Sequence, residues 1–427
     1  MHADKQKNRP HGPPPGMGKR EFVVMMAALM SITALSIDTM LPALPQIGAD
    51  LHIADANDRQ NIITIFLLGL AIGSLAYGPL SDRFGRRRIL MVAACLQIVS
   101  TTICALATSF PILLGARLLA GLSVASCRVI ATSIVRDCFQ GDAMARIMSL
   151  IMVTFVIVPV LAPSVGALVL LVAPWRWIFG MLLILIAGLA VWQFLRLPET
   201  LPPESRSAIG PRDLWNTFVQ VATNRNSIGH MLASGIMMGG LIGFLVSIQQ
   251  IFFDVFDAGE YFSIGFATIA IWMGVGSLLN SRLVERFGAR RLSQSAVLVL
   301  VAVSLLHCAI ILSGHEHLVV FIVLQSITTT CFSFSGANFS SISLEPFTRG
   351  AGLAASVQAA LTTLVSTVLG GLVGAAFDGT VLPMSLGFLA FGTTALLLIA
   401  WAERWTLFKR PGYAELRKEN YIFSDRG

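Results

Sequence analysis

A chain of 427 residues that is 55% hydrophobic and only 12% charged is not an ordinary soluble protein, since soluble domains run near ~25% charged. Its net charge of +7 comes from 30 Lys and Arg against 23 Asp and Glu, and the placement of those cations reads as membrane topology, not as a nucleic-acid footprint. The six cysteines, Cys95, Cys104, Cys127, Cys138, Cys308 and Cys331, lie in or at the ends of apolar stretches without paired spacing, which argues against a disulfide framework.

Residues 1–20 carry HGPPPG and scattered Lys and read as a disordered cytoplasmic tail. The apolar run after them is too long for a signal peptide and lacks a small-residue cleavage site, so it reads as a first spanning helix. It is the first of twelve spans, near 22–43, 59–79, 88–108, 111–135, 144–171, 176–196, 227–251, 261–281, 292–313, 317–340, 350–377 and 384–405. Each is long enough to cross about 30 Å of hydrocarbon. Helix is the expected form, because lipid offers no partner to an open backbone. The predicted fold is therefore all-α and integral to the membrane, with twelve transmembrane helices in two pseudo-symmetric six-helix bundles. The bundles are 21–196 and 227–405, joined by a Pro- and Ser-rich cytoplasmic linker, 197–226, and followed by a cytoplasmic tail, 406–427. Within the linker, Trp215 and Phe218 suit either a short amphipathic helix or a bare connection. With the N-terminus inside, the basic residues crowd the same side, leaving Arg59 and Arg176 outside and Arg117 and Arg128 at membrane depth. This bias places both termini in the cytoplasm.

The halves echo one another. Asp82-Arg-Phe-Gly-Arg-Arg-Arg88 returns as Glu285-Arg-Phe-Gly-Ala-Arg-Arg291, and Gly73-Ser-Leu75 returns as Gly276-Ser-Leu278, both at an offset of 203 residues. Parallel repeats of six helices describe one large transporter class, with substrate bound near the midplane and access alternating by rocking.

Asp38 is the one carboxylate well inside a span, about 26 Å along the helix from Glu21 at ~1.5 Å per residue, just before Pro42 and Pro45. An intramembrane carboxylate is a functional-site hypothesis by default. Burial and a neighbouring arginine pull a carboxylate's proton affinity in opposite directions, so a rocking motion that alters either one couples protons to transport. The competing reading is a structural acid that caps backbone near the proline-broken helix end. Arg117, in the fourth span at a similar depth, is the expected neighbour, as a modulator of the acid or as a strut between helices. Arg128 follows three turns later on the same face, where it either lines the cavity and favours anionic or polar substrates or reaches the inner loops.

The loop Gly78-Pro-Leu-Ser-Asp82-Arg83-Phe-Gly85-Arg86-Arg87-Arg88 joins the second and third spans. Its glycines permit a tight reversal, and its acid and arginines can form charge-assisted pairs between helix ends. It reads as a conformational latch, with Glu285, Arg286 and Gly288 as its counterpart, or as a basic anchor with a tight turn. In the fifth span, Pro159, Pro163 and Gly166 predict a bent helix packed closely on a neighbour. Candidate substrate-cavity residues are Asp38, Arg128, Met152, Phe155, Gln249, Asn338 and Gln358. His307 reads as a packed residue. No metal site, Walker A sequence or catalytic triad stands out, and no enzyme is expected.

The 78–88 loop resembles the signature of the major facilitator superfamily, and the chain resembles its Bcr/CflA drug-resistance efflux branch. The likeness rests on Ala34-Leu-Ser-Ile-Asp38-Thr-Met-Leu-Pro42-Ala-Leu-Pro45, the 78–88 loop, Arg117-Leu-Leu-Ala-Gly121 continuing to Ile134-Val-Arg136-Asp137, and Pro159-Val-Leu-Ala-Pro163-Ser-Val-Gly166 followed by Trp175-Arg-Trp-Ile-Phe179. It is thinner in the C-terminal half, where it rests on 280–292. The chain departs from the pattern at Ala120, Ser123 and Ala167, and Arg128 stands where a small residue is usual. The resemblance implies a monomeric, proton-coupled multidrug antiporter of the bacterial inner (plasma) membrane that confers antibiotic resistance. It implies a proton-transfer role for Arg117 and an antiporter motif at Pro159, Pro163 and Gly166. The expected partners are a small-molecule substrate, protons and the lipid bilayer, with no nucleic acid, and the expected drive is the proton gradient with no cofactor. The alternative is an exporter or importer of one small metabolite, possibly anionic, by symport or facilitated diffusion. A membrane sensor or enzyme that does not transport fits the two matched halves poorly.

Overall fold

The computed structural model describes residues 12–139, 141–206, 211–347 and 351–408. The described chain is helical throughout. In order it forms α1 (Lys19–Asp38), α2 (Leu44–Asp50), α3 (Asn61–Phe84), α4 (Arg86–Leu106), α5 (Phe110–Cys138), α6 (Gly141–Val172), α7 (Arg176–Arg196), α8 (Pro211–Thr223), α9 (Arg225–Gln250), α10 (Phe262–Phe287), α11 (Ala289–Leu312), α12 (Leu318–Leu344), α13 (Ala351–Ala375) and α14 (Leu382–Ala402). Eleven spans are long and apolar enough to cross a membrane, with α1 and α2 forming one of them. α6, 32 residues long, supplies the twelfth and carries the shorter apolar stretch Ile157–Val172. The twelve-helix membrane architecture expected from the sequence is the one observed. The expected tails fall largely on residues outside the described ones.

By Cα packing the chain divides into two compact units. One is Met1–Asp213 with Val246–Ile271, and the other is Leu214–Leu245 with Trp272–Gly427. Val246–Ile271, the end of α9, its continuation and the start of α10, thus packs with the first unit. There the side chain of Gln250 donates to Asn57 at 3.0 Å and accepts from Gln60. α9 also widens into a π turn over Ile251–Val255.

In the first unit α3 and α5 approach most closely. A Cβ at Gly69 would stand 2.1 Å from the Leu118 carbonyl oxygen, and one at Gly121 would stand 1.9 Å from that of Phe66. Only hydrogens fit there, and small residues are what permit such crossings where lipid supplies no hydrophobic drive between helices. In the second unit Gly235, Gly239 and Gly243 of α9 face Val365, Leu369 and Val373 of α13, with both sets spaced by one helical turn. In the linker, α8 is a helix, and its exposed Trp215 stacks on Phe218 with ring centroids 5.5 Å apart.

Candidate functional site

α1 ends at Asp38 because the chain ahead is short of backbone donors. Pro42 cannot donate to the Asp38 carbonyl, nor Pro45 to that of Leu41. The chain tightens into a 3-10 turn over Leu41–Ala43 before α2, and the Met40 N–H turns to Ile37 at 3.4 Å. That leaves the Ser36 carbonyl without its usual partner four residues on.

Arg117 fills the vacancy. From α5 it donates through Nη1 to Ser36 O at 3.1 Å and through Nε to Ile62 O on α3 at 3.1 Å. Its guanidinium lies over the Phe66 ring, 4.1 Å from the centroid. The side chain is 1% exposed, and Nη2 has no hydrogen-bond partner. A planar fork that stacks on one face while donating along its edge suits arginine and no other cation.

Asp38 is 4% exposed. Among the described residues its carboxylate has no hydrogen-bond or ion-pair partner, so the expected pairing with Arg117 is not made in this conformation. Arg117 is instead tied to the backbone two residues before the acid. The two are neighbours by element, and a carbonyl freed by the helix break has taken the guanidinium. α6 closes over the same spot. A Cβ at Gly166 would stand 1.9 Å from the Thr39 carbonyl oxygen and 3.2 Å from the Pro42 ring. Pro163 and Gly166 are buried, Pro159 is half-buried, and α6 remains helical through both prolines. The structure therefore gathers Asp38, Arg117 and Gly166 around one helix break in the first unit.

The loop between α3 and α4 forms a second constellation. Gly85 adopts φ +98°, beyond the easy reach of other residues, and a Cβ there would also meet Glu199 Oε2 at 2.4 Å. The reversal exposes the first N–H groups of α4, and the Glu199 carboxylate accepts from Arg86 N at 2.9 Å and Arg87 N at 3.2 Å. This is an anion at a helix N-terminus. Arg86 is 2% exposed; it pairs with Asp82 at 2.6 Å and Asp137 at 3.0 Å and donates to Ser81 at 2.7 Å. Arg87 donates to Phe194 O at 2.7 Å. Arg83 lies over the ring of Phe84. Gly78 is buried within α3 beside Tyr77, and the reversal itself belongs to Gly85.

The second unit repeats the device with different residues. Gly288 takes φ +83°. Glu285 and Arg286 are exposed and do not carry the pairs. Arg290 does, through a bidentate contact to Glu345 at 3.1 and 2.7 Å and a bond to Glu403 at 2.8 Å. Gln294 donates to the other Glu403 oxygen at 2.7 Å, and His230 Nε2 lies 3.3 Å from Glu403. Burial alone would lift Glu403, but His230, Gln294 and Arg290 outweigh it and hold the carboxyl below its usual range. Sequence reasoning passed over Arg290, Glu199, Glu345 and Glu403. A signal for three of them was present, since Arg290 follows Arg86 and Glu403 follows Glu199 at the same offset of 204 residues.

The cavity candidates scatter. Asn338 is buried and donates to Asn280 at 2.8 Å and to Phe334 O at 2.7 Å. Gln358 donates to Ser340 O at 3.1 Å. Both belong to the second unit. Gln249 is 1% exposed with neither amide atom partnered. Arg128 is exposed on α5, and its guanidinium has no hydrogen bond or ion pair among the described residues. The side chains of Met152 and Phe155 lie outside the described ones.

Helices long and apolar enough to cross a membrane, with a Gly-turned ion-pair cluster repeated in each unit, define the chain as a membrane transporter and not an enzyme, as its family shows. The chain belongs to the Major Facilitator Superfamily, whose family model matches residues 26–345. It is 29% identical to the MFS-type transporter YdgK of Bacillus subtilis over 396 residues, covering 91% of this chain and 96% of that one. It is 25% identical to the bicyclomycin resistance protein homolog of Haemophilus influenzae over 279 residues, 65% of this chain and 70% of that one. It is 28% identical to the multidrug resistance protein MdtL of Escherichia coli over 256 residues, 60% of this chain and 64% of that one. These relatives agree with the drug-resistance branch whose motifs the sequence carries. In fold it is similar to a D-xylose–proton symporter, with a TM-score of 0.73 at 14% identity over 91% of this chain and 98% of that one.

Proposed function

We propose that the protein is a proton-coupled antiporter that expels small drug-like compounds across a bacterial inner membrane, as a monomer with both termini in the cytoplasm and with no cofactor beyond the proton gradient. The observation that carries this reading is Asp38, a carboxylate buried at a helix break with no counter-charge on it among the described residues. It lies beside an arginine that has one free N–H-bearing nitrogen, Nη2. Arg117 changes the electrostatic setting of Asp38 if the break shifts, and a carboxylate whose burial or charge environment differs between two states binds its proton differently in each. The names of the drug-resistance relatives support the substrate class. The drive is sufficient: ~2.3 kcal/mol per charge at 100 mV with ~1.4 kcal/mol per pH unit gives about a five-hundredfold gradient per proton.

The constellations at Arg86 and Arg290 act as latches at the cytoplasmic helix ends in this reading. A second reading, transport of one small anionic metabolite by symport or facilitated diffusion, is favoured by Arg128, whose exposed guanidinium has no partner among the described residues.

Substrate-induced proton release from purified protein separates them. Wild type releases protons on adding neutral or cationic drug-like compounds, and Asp38→Asn does not. Equal release from both would remove Asp38 as the shared site, and displacement only by small acids would favour the metabolite.

A further inference from the structure

The second unit holds a buried ionisable cluster at the end of α11 away from Arg290, and nothing in the transport reading uses it. His307, 2% exposed, meets Glu316 Oε1 through Nε2 at 2.9 Å. Its Nδ1 lies 3.1 Å from the Ser385 hydroxyl of α14 and 3.5 Å from the Gln325 amide nitrogen of α12.

The chain builds this contact deliberately. α11 closes with Gly314 at φ +74°, and the His315 N–H reaches back to Ile310 O at 3.2 Å, a Schellman turn. Two residues on, the His317 ring caps α12 by accepting from Val320 N at 3.4 Å. Glu316 is thus held between a helix stop and a helix start, and its side chain, 11% exposed, folds inward over His307. Among the described residues Glu316 is the one charged group that meets the imidazole. α12 offers it Gln325 and the Phe321 ring, 6.2 Å away, and α14 offers Ser385. Of the neighbouring histidines, His315 bonds Ser313 and His317 bonds Val320 N.

Two polar atoms in the cluster have no partner although they are buried, Glu316 Oε2 and Gln325 Oε1. Orphaned acceptors of this kind cost free energy unless some other state uses them. With a neutral ring, Nε2–H donates to Glu316 while Nδ1 accepts from Ser385 and the Gln325 amide. Adding a proton to Nδ1 turns it from acceptor to donor. The Ser385 hydroxyl rotates to accept it, and a half-turn of the Gln325 amide presents the unused Oε1. The carboxylate balances the new charge, as a buried cation requires.

We propose that His307 and Glu316 form a second proton-binding site, separate from Asp38, whose occupancy pins the α11–α12 turn against α14. In the orientation proposed above this turn faces the outside, so the site reads external acidity. It stands whether or not Asp38 is the coupling residue.

The test is ¹⁵N NMR of full-length protein labelled at its seven histidines in lipid nanodiscs, carried from about pH 8 to about pH 5, the range over which histidine charge ordinarily changes. The His307 signals are identified by their loss in His307→Gln, or by their displacement in Ser385→Ala if that protein fails to fold. The expected result is a change from the neutral two-nitrogen pattern to the imidazolium pattern in wild type and in Asp38→Asn. In Glu316→Gln, with the other histidines unmoved, the change is confined to the acid end of the range or lost. A ring that stays neutral throughout in wild type, or a transition unaltered in Glu316→Gln, overturns the proposal.

Discussion

The backbone of Gly166 presses so closely on Thr39 that a methyl group at position 166 would stand 1.9 Å from the Thr39 carbonyl oxygen. This contact seats α6 against the residue that follows Asp38. The proline-rich stretch of the fifth span and the carboxylate of the first are therefore parts of one structure, joined at a helix break.

Gly166→Ala cannot be accommodated by a side-chain adjustment, because the obstacle is backbone. The helices must separate, at a cost of about 1–3 kcal/mol, and transport should fall severalfold with a lowered thermal unfolding temperature. Gly115→Ala, where the added group meets nothing within 4 Å, should leave both unchanged. Comparable behaviour of the two variants in a transport assay and a melting curve would count against the contact.

Arg117→Lys should behave as a severe change. A lysine cannot bridge Ser36 O and Ile62 O while lying flat on Phe66. Losing one hydrogen bond from a charged donor costs about 1.5–3 kcal/mol. We expect a thermal shift toward lower temperature in Arg117→Lys that approaches that of Arg117→Ala. A lysine variant as stable as wild type would show that charge alone, and not the fork, matters there.

Removing Arg86 takes from Asp82 and Asp137 the cation that both contact. Breaking a buried pair costs about 3–5 kcal/mol. The lower end applies, because the Asp82 side chain is 23% exposed. Asp137→Asn in the Arg86→Met background should recover part of that loss, which a double-mutant cycle on melting temperatures would read as coupling. Strict additivity would deny the interaction.

Much of this was legible in the sequence, for physical reasons that differ by feature. Spans announce themselves because each must be apolar over its whole length, and Asp38 is conspicuous against such a background. Gly85 and Gly288 announce reversals because few other residues take their φ values. The partner of Arg117 was not legible. An arginine and an aspartate at one depth suggest an ion pair, but the break ahead of Pro42 and Pro45 turns the Met40 N–H to Ile37 and frees the Ser36 carbonyl, and a side-chain count does not register carbonyls. The second ion-pair cluster was missed by a single residue of register. Matching Asp82 to Glu285 points to the exposed Glu285 and Arg286, whereas the pairs run from Arg290, two positions past the glycine and not one. Of the acids that answer it, Glu403 stands at the same offset from Glu199 as Arg290 from Arg86, whereas Glu345 lies at the end of α12, where only the folded structure identifies it.

Glu403 gives the second unit an acid-sensitive joint. Its carboxyl is held below the usual range despite burial, by His230, Gln294 and Arg290. A group whose proton affinity is lower folded than unfolded contributes stability at pH values above its unfolded pKa, about 4.3 for glutamate. That contribution is lost as the pH falls through the lower, folded value. Wild-type protein should therefore lose thermal stability on going from neutral pH toward pH ~4 and below, with part of the loss assignable to this residue. Glu403→Gln should melt lower at neutral pH, because Arg290 keeps Glu345 but loses its second carboxylate, and should show a shallower decline on acidification. Melting curves across that range in one detergent decide it. Parallel wild-type and variant profiles would mean that Glu403 does not hold the α11 and α14 ends together through its charge.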